Sequence, residues 1–421
     1  MTPEGWLVAP VEQLFELQLG KMLNKEATRT NPTFPYLGNR EVQWGRFDLS
    51  DLRRMHFSED EQTKFSLRHG DLLVCEGGEV GRTALWRGNF ECYFQKALHR
   101  LRPLNSRATS EFMLHFMRFA ADSGRLANFT SQSSIAHLTR ERLAQVEVLL
   151  PPLPEQRKIA AILSSVDDAI EASQTVIYQL QVVKKAMMAE LLTKGLPGGH
   201  KKFKQTEIGV LPEEWEVAKL GSLADIAYGL TVNGQRRKSA KRLPYLTVAN
   251  LQDEQFDLVE VKQIGVLDGD EERYAVRQGD VLLVEGNANI ARLGRAAIWT
   301  GQLPLALHQN HLIRVRVGQA ALTPAWVHLV LGACAVREQI ESHAKTSSGL
   351  NTINSTVVAG LTVAVPSPEE QAAICNVREI LQARLTTESM SVSALRAVRS
   401  ALMSVLLTGE VRVRVDEGGA A

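Results

Sequence analysis

The densest group of side chains suited to binding a polyanion lies between Gly229 and Arg242. The run Gly229-Leu230-Thr231-Val232-Asn233-Gly234-Gln235-Arg236-Arg237-Lys238-Ser239-Ala240-Lys241-Arg242 holds five basic residues and no acid. Such cations suit phosphates, and the Asn233 and Gln235 amides can both donate and accept at base edges. The segment from Gly20 to Asn31 has the same style in a milder form, with Lys21, Lys25, Arg29 and Asn31. Two Gly-Arg pairs add Arg82 and Arg295, and Arg292 lies close to the second. For any one of these residues a solvated surface position is the plainer reading. As a set they favour a polyanion contact.

Other chemistries find less support. Asn31-Pro32-Thr33-Phe34 resembles the Asn-Pro-Pro-aromatic motif of amino-methyltransferases, but the second proline is missing. Gly77-Gly78-Glu79-Val80-Gly81 lacks the Lys-Ser/Thr ending of a phosphate loop and reads as a hairpin turn. His308 and His311 have ligand-like spacing without further nearby partners, so no metal is expected. No nuclease carboxylate cluster or Ser-His-Asp set is recognisable, and the chain reads as non-enzymatic. Cys75, Cys92, Cys334 and Cys375 form no Cys-x-x-Cys pair and read as reduced thiols of a cytoplasmic protein. No stretch is apolar for the 18 or so residues of a membrane span, and the N-terminus has no basic-then-apolar secretion signal. The formal net charge of +1 leaves function open, because basic loops can be offset by acidic faces elsewhere.

A length of 421 residues suggests two or more domains, and self-similarity says how they arise. At an offset of 209, Trp6 falls on Trp215, Gly20 on Gly229, Tyr36-Leu37 on Tyr245-Leu246, and Gly70-Asp71 on Gly279-Asp280. At 213, Gly81-Arg82 meets Gly294-Arg295. At 215, Glu155-Gln156 meets Glu370-Gln371 and Leu191-Leu192-Thr193 meets Leu406-Leu407-Thr408. One unit of roughly 210 residues is therefore written twice, far too long for a solenoid period.

Each unit begins with a mixed segment, in which strand-like runs such as Asp71-Leu72-Leu73-Val74-Cys75 alternate with helical periodicity. Each ends in a long helix that starts after prolines. In the first helix Ile159, Ile162, Val166, Ile170, Ile177, Leu180, Val183, Met187 and Leu191 form an apolar seam at three- and four-residue spacing. Ile374, Val377, Leu381, Leu385, Val392, Leu395, Val398, Leu402 and Leu406 repeat it in the second, and Ser173 and Glu388 interrupt both seams at the same place. Such spacing predicts a coiled coil between the two helices, and about 40 residues give a rod on the order of 60 Å long. The alternative is two amphipathic helices, each packed on its own domain. The expected divisions are a first mixed domain (1–154), a helix (155–195), a Gly-rich basic linker (196–212), a second domain (213–366), a second helix (367–409) and a tail (410–421).

Pro151-Pro152-Leu153-Pro154-Glu155-Gln156-Arg157-Lys158-Ile159-Ala160, Leu211-Pro212-Glu213-Glu214-Trp215 and Pro366-Ser367-Pro368-Glu369-Glu370-Gln371 together resemble the specificity subunits of type I restriction–modification systems. The second helix lacks the usual Lys-Ile after its glutamine. The resemblance implies an α+β fold: two tandem target-recognition domains separated by long helices, paired as an antiparallel coiled coil with pseudo-two-fold symmetry. It also implies that each domain reads one half of a bipartite, asymmetric site in double-stranded DNA. The helices would set the spacer and dock two modification subunits, which restriction subunits join. No cofactor is expected on this chain; S-adenosylmethionine, Mg and ATP would sit on the partners. A similar subunit of a different methyltransferase-nuclease, or a coiled-coil scaffold with two protein-binding domains, is the competing reading.

Overall fold

The computed structural model describes residues 2–414 apart from 24–26, 28, 29, 130–136, 319, 320 and 348. It divides into two compact units, Met1–Thr175 with Ser389–Ala421, and Val176–Glu388. Each unit holds one mixed α+β head and a portion of both long helices.

In the first unit a four-stranded antiparallel sheet has the order Phe15–Leu19, Leu98–Pro103, Leu72–Cys75, Thr83–Leu85. Its central strand Leu72–Cys75 is buried at every position. The sequence shows no polar alternation there because both faces are covered. Leu72 and Val74 face a core shared with the helix Ser110–Asp122, while Leu73 and Cys75 face a second core around Trp86, Tyr93 and Phe94. A smaller sheet, Arg53–His56, Thr33–Leu37 and Tyr93–Phe94, closes the second core.

The second unit repeats this plan with Ala224–Tyr228, Leu312–Val317, Val281–Val284 and Ala296–Ile298, beside Lys262–Gly265, Arg242–Leu246 and Leu307–His308. Again Val281 and Leu283 serve one core, Leu282 and Val284 the other. The repeated Gly-Asp marks a turn held by side chains. Asp71 accepts from the Arg68 backbone and from both nitrogens of a bidentate Arg102, each at 2.7 Å. Asp280 does the same with Arg277 and Arg316.

The long helices span Leu153–Lys194 and Pro368–Leu406. The first stops at Gly195, whose φ of 72° is the left-handed conformation that glycine adopts at a helix end. Within each unit the helices run antiparallel. In the first, Ile159 and Leu163 share a core with Met403, Leu406 and Leu407, and Arg399 donates to Asp167 at 2.9 Å. In the second, Met188 and Leu191 share a core with Ile374 and Cys375, and Lys184 donates to Gln382 at 2.6 Å. Adding 215 to Lys184 and Asp167 gives Arg399 and Gln382, so the two cross-helix pairs occupy equivalent positions.

Ile159, Ile170, Leu191, Ile374, Leu385, Val392 and Leu406 are buried in these faces. Ile162, Val166, Ile177, Leu180, Val377, Leu381, Leu395 and Leu402 are partly covered. Met187 is a correction: it is 38% exposed, and Met188, at 9%, takes the inward place. Val183 is likewise exposed while Lys184 turns inward. A straight α-helix drifts about 20° per heptad against a strict 3.5-residue repeat. The inward positions Leu180, Lys184 and Met188 absorb that drift with two successive four-residue steps. Leu395, Arg399 and Met403 repeat the shift and leave Val398 exposed, as Val183 is.

Candidate nucleic-acid interface

The basic run leaves its sheet at Gly229, where a Cβ would collide with the carbonyls of His308 and Gln309; Gly20 stands in the same relation to Phe94 and Gln95. Only glycine lets the chain pass so close to backbone. Asn233 then caps the short helix Gly234–Lys238 by accepting from the Arg236 amide at 3.0 Å. Gln235, Arg237, Lys238, Lys241 and Arg242 are exposed. Lys241 pairs with Glu271, and Arg242 donates to the Gln263 carbonyl at 3.0 Å.

Four candidate cations serve the fold instead. Arg236 is 8% exposed and forms a two-pronged ion pair with Asp270. Lys21 is nearly covered, its ammonium 2.8 Å from the His56 carbonyl and 2.5 Å from Glu61. Arg82 donates to the Asn39 carbonyl at 2.6 Å, and Arg295 to the equivalent Val248 carbonyl at 3.4 Å. The repeated Gly-Arg thus ties the second loop to its neighbour. Sequence cannot separate an inward arginine from an outward one in a basic run, because the distinction rests on distant partners such as Asp270. Asn31 is exposed, and Lys25 and Arg29 lie outside the described residues.

The second unit also contains a polar ribbon that the basic-residue pattern misses. Gly286–Asn287 pairs with Leu350–Thr352, which pairs with Lys345–Ser347. Asn351 donates to the Ala288 carbonyl at 3.0 Å, and Lys345, Thr346 and Leu350 are exposed. The run of Thr, Ser and Asn was its only signal. Beside the ribbon, Arg292 reaches Asp253 at 2.5 Å.

The helix starts carry the most regular chemistry of all. Trp6 Nε1 donates to Glu155 at 3.0 Å, and Arg412 binds the same carboxylate through two nitrogens at 2.8 and 2.9 Å. Burial opposes the Glu155 charge, but Arg412 and Trp6 outweigh it and hold the carboxyl below its usual range. In the second unit Trp215 Nε1 donates to Glu370 at 2.8 Å, and His200 takes the cation's place, with Nε2 2.8 Å from Glu370 and Nδ1 3.0 Å from Glu214. The hydrogen bond to Glu370 is the main force raising the His200 pKa; Glu214 adds to it and desolvation opposes it.

The adjoining glutamines are fully buried. Gln156 accepts from the Thr109 amide and donates to the carbonyls of Arg107 and Pro151; Gln371 does so with Thr323, Ala321 and Pro366. Each Glu-Gln pair, Glu155-Gln156 and Glu370-Gln371, is a socket in which a head sits on its helix.

The two histidines with ligand-like spacing are separately engaged: His308 lies 2.9 Å from the Tyr274 carbonyl and His311 2.7 Å from Glu285. Burial pushes His308 down to about 4, which keeps it neutral. Among the described residues no three His, Cys, Asp or Glu side chains gather as a metal site would require, and no helix is long and apolar enough to cross a membrane.

Duplicated heads joined to paired helices by a common socket define a class of two-headed protein whose two heads differ most in their loops. Residues 3–181 match the type I restriction modification DNA specificity domain. The chain is 24% identical over 420 residues to the type I restriction enzyme StySPI specificity subunit of Salmonella potsdam, covering 96% of this chain and 88% of that one. It is 24% identical over 422 residues to the EcoKI specificity subunit of Escherichia coli strain K12, with the same two coverages. Its fold is similar to the crystal structure of a type I restriction-modification S subunit from M. genitalium, with a TM-score of 0.57 at 15% identity, covering 96% and 97% of the two chains. Over nearly its whole length the chain is thus similar to specificity subunits of type I restriction–modification systems, and its first half matches their DNA specificity domain.

Proposed function

We propose that this chain reads DNA for a type I restriction–modification complex and performs no chemistry itself. Each head contacts one half of a bipartite, asymmetric duplex site, and the helices set the spacer and dock two modification subunits. Those partners carry S-adenosylmethionine; restriction subunits, with Mg and ATP, complete the assembly in the cytoplasm. The observation that carries this reading is the contrast between framework and loops. Sockets, Gly-Asp turns and cross-helix pairs recur in both units, whereas the exposed loops share almost no side chains. Two readers of different half-sites require that contrast. Arg237, Lys238, Lys241 and Arg242 suit phosphates, while Gln235 and Asn31 offer amides for base edges. The thiols agree with a reducing compartment: desolvation pushes Cys75 up to about 11 and Cys92 up to about 12, leaving both inert.

Sequencing modified bases in a host with and without this gene tests the reading. A bipartite methylated motif should vanish with the gene, and an unchanged methylation pattern would refute the proposal. In the assembled methyltransferase, replacing Arg237, Lys238 and Lys241 together with serine should flatten the salt dependence of DNA binding. Each lost phosphate contact lowers the log–log slope by about 0.9.

A further inference from the structure

One carboxylate has changed place between the units. In the first, the acid of the head–helix joint lies on the helix: Asp167 accepts from Arg399 at 2.9 Å and stands 3.7 Å from His115 of the head. The equivalent positions in the second unit are Gln382 and Lys184, so the cation remains and the acid is gone. Arg378 adds another positive charge where the first unit has the buried Leu163. Glu254 supplies the missing charge from the head, accepting from Arg378 at 2.6 Å, with Lys184 and His328 in its field.

The turn bearing Glu254 is built for that contact. Its φ of 63° makes it the only non-glycine residue in the left-handed region among the described residues, and the equivalent position in the first unit is Gly45, at 77°. A side chain there costs backbone energy that glycine avoids. The preceding residue, Asp253, holds Arg292 of the adjoining candidate reading loop at 2.5 Å. The equivalent pair in the first unit is Trp44 and Glu79, also at 2.5 Å. Thus in both units the turn grips the reading loop, and only in the second does it also grip the helix.

We infer that Glu254 is a positioning residue that braces the second head and its Arg292 loop against the helix pair, replacing the carboxylate that Asp167 supplies in the first unit. The inference rests on the DNA-reading function proposed above.

The test uses the chain assembled with its modification subunits, and the readout is the methylation frequency at sites mismatched in one half or the other. Glu254→Gly restores the residue that the backbone prefers, so melting temperature should stay within about 3 °C, the shift of a change below 1 kcal/mol. Methylation of sites mismatched in the second head's half should rise about tenfold relative to matched sites, a typical single-mismatch margin. Discrimination in the first half should stay unchanged. Adding Gln382→Asp to Glu254→Gly returns an acid to the helix position that Asp167 holds in the first unit and should restore discrimination. Unchanged discrimination in Glu254→Gly, loosening of both halves equally, or failure of Gln382→Asp to rescue would overturn the inference. If the unaltered complex methylates no bipartite motif, the DNA-reading proposal fails, and this inference with it.

Discussion

At the residue scale, the two glutamate sockets differ in the cation that fills them, and that difference has a pH consequence. Arg412 stays charged at all working pH values. His200, with its pKa raised in the folded protein, contributes stability that is fully present below the ordinary histidine range and is lost as pH rises through its folded value. Stability of the full chain should therefore fall as pH rises above the ordinary histidine value of about 6.5, and His200→Arg should flatten that part of the profile. Urea denaturation at a series of pH values measures it; equal slopes in both proteins would disprove the assignment. Proline, glutamate and glutamine at the helix start were visible in the sequence as a repeated motif, but their task was not. Gln156 and Gln371 bind backbone groups nearly 50 residues away, and backbone groups leave no mark on a sequence pattern. The candidate cations were legible only as a set, since Arg236 and Arg237 are chemically alike and only Asp270 tells them apart.

At the element scale, the seam shows where periodicity succeeds and where it stops. Apolar residues at three- and four-residue spacing located both helices and most of their covered faces. The drift of the α-helix moved the inner face by one residue near Lys184, where a polar side chain with a partner displaced the apolar Val183. Met188→Ala should lower stability by about 2–4 kcal/mol, as removal of a buried methionine does. Met187→Ala, on the solvent side, should change it by no more than about 0.5 kcal/mol. Chemical denaturation of the two variants checks the register, and equal losses would return the seam to Met187. The central strands were legible for a related reason: Leu72-Leu73-Val74 and Val281-Leu282-Leu283 are uniformly apolar because a core lies on either side of each. The ribbon from Lys345 to Thr352 was not legible, since its pairing depends on Gly286 and Asn287 far along the chain.

At the scale of the whole molecule, the cross-helix pairs specify how a ruler would have to be lengthened. From Asp167 to Lys184 the first helix advances by the same number of residues as the second falls back from Arg399 to Gln382. An insertion in one helix alone would separate one of these pairs. Matched four-residue insertions, between Asp167 and Lys184 and between Gln382 and Arg399, preserve both and add about 6 Å. Methylation mapping should then report a wider spacer with both half-sites unchanged. Altered half-sites would refute a spacing role for the helices. The tandem duplication was legible from the offsets alone, whereas the exchange of Asp167 for Glu254 emerged only when equivalent positions could be compared in three dimensions.

The sockets decide which heads can be grafted onto which helix end. Gln156 and Gln371 recognise amides and carbonyls, which every polypeptide presents, so a foreign head needs little beyond a tryptophan and a capped helix in the right places to fit. Such a joint lets new reading surfaces be acquired by recombination without redesign of the rod. Glu254 is the exception. A head carrying it, moved to the end where Asp167 already occupies Arg399, would bring a second carboxylate and find Leu163 in place of Arg378. The first head, moved the other way, would bring Gly45 and leave Arg378 without its acid, so each head fits its own helix end best.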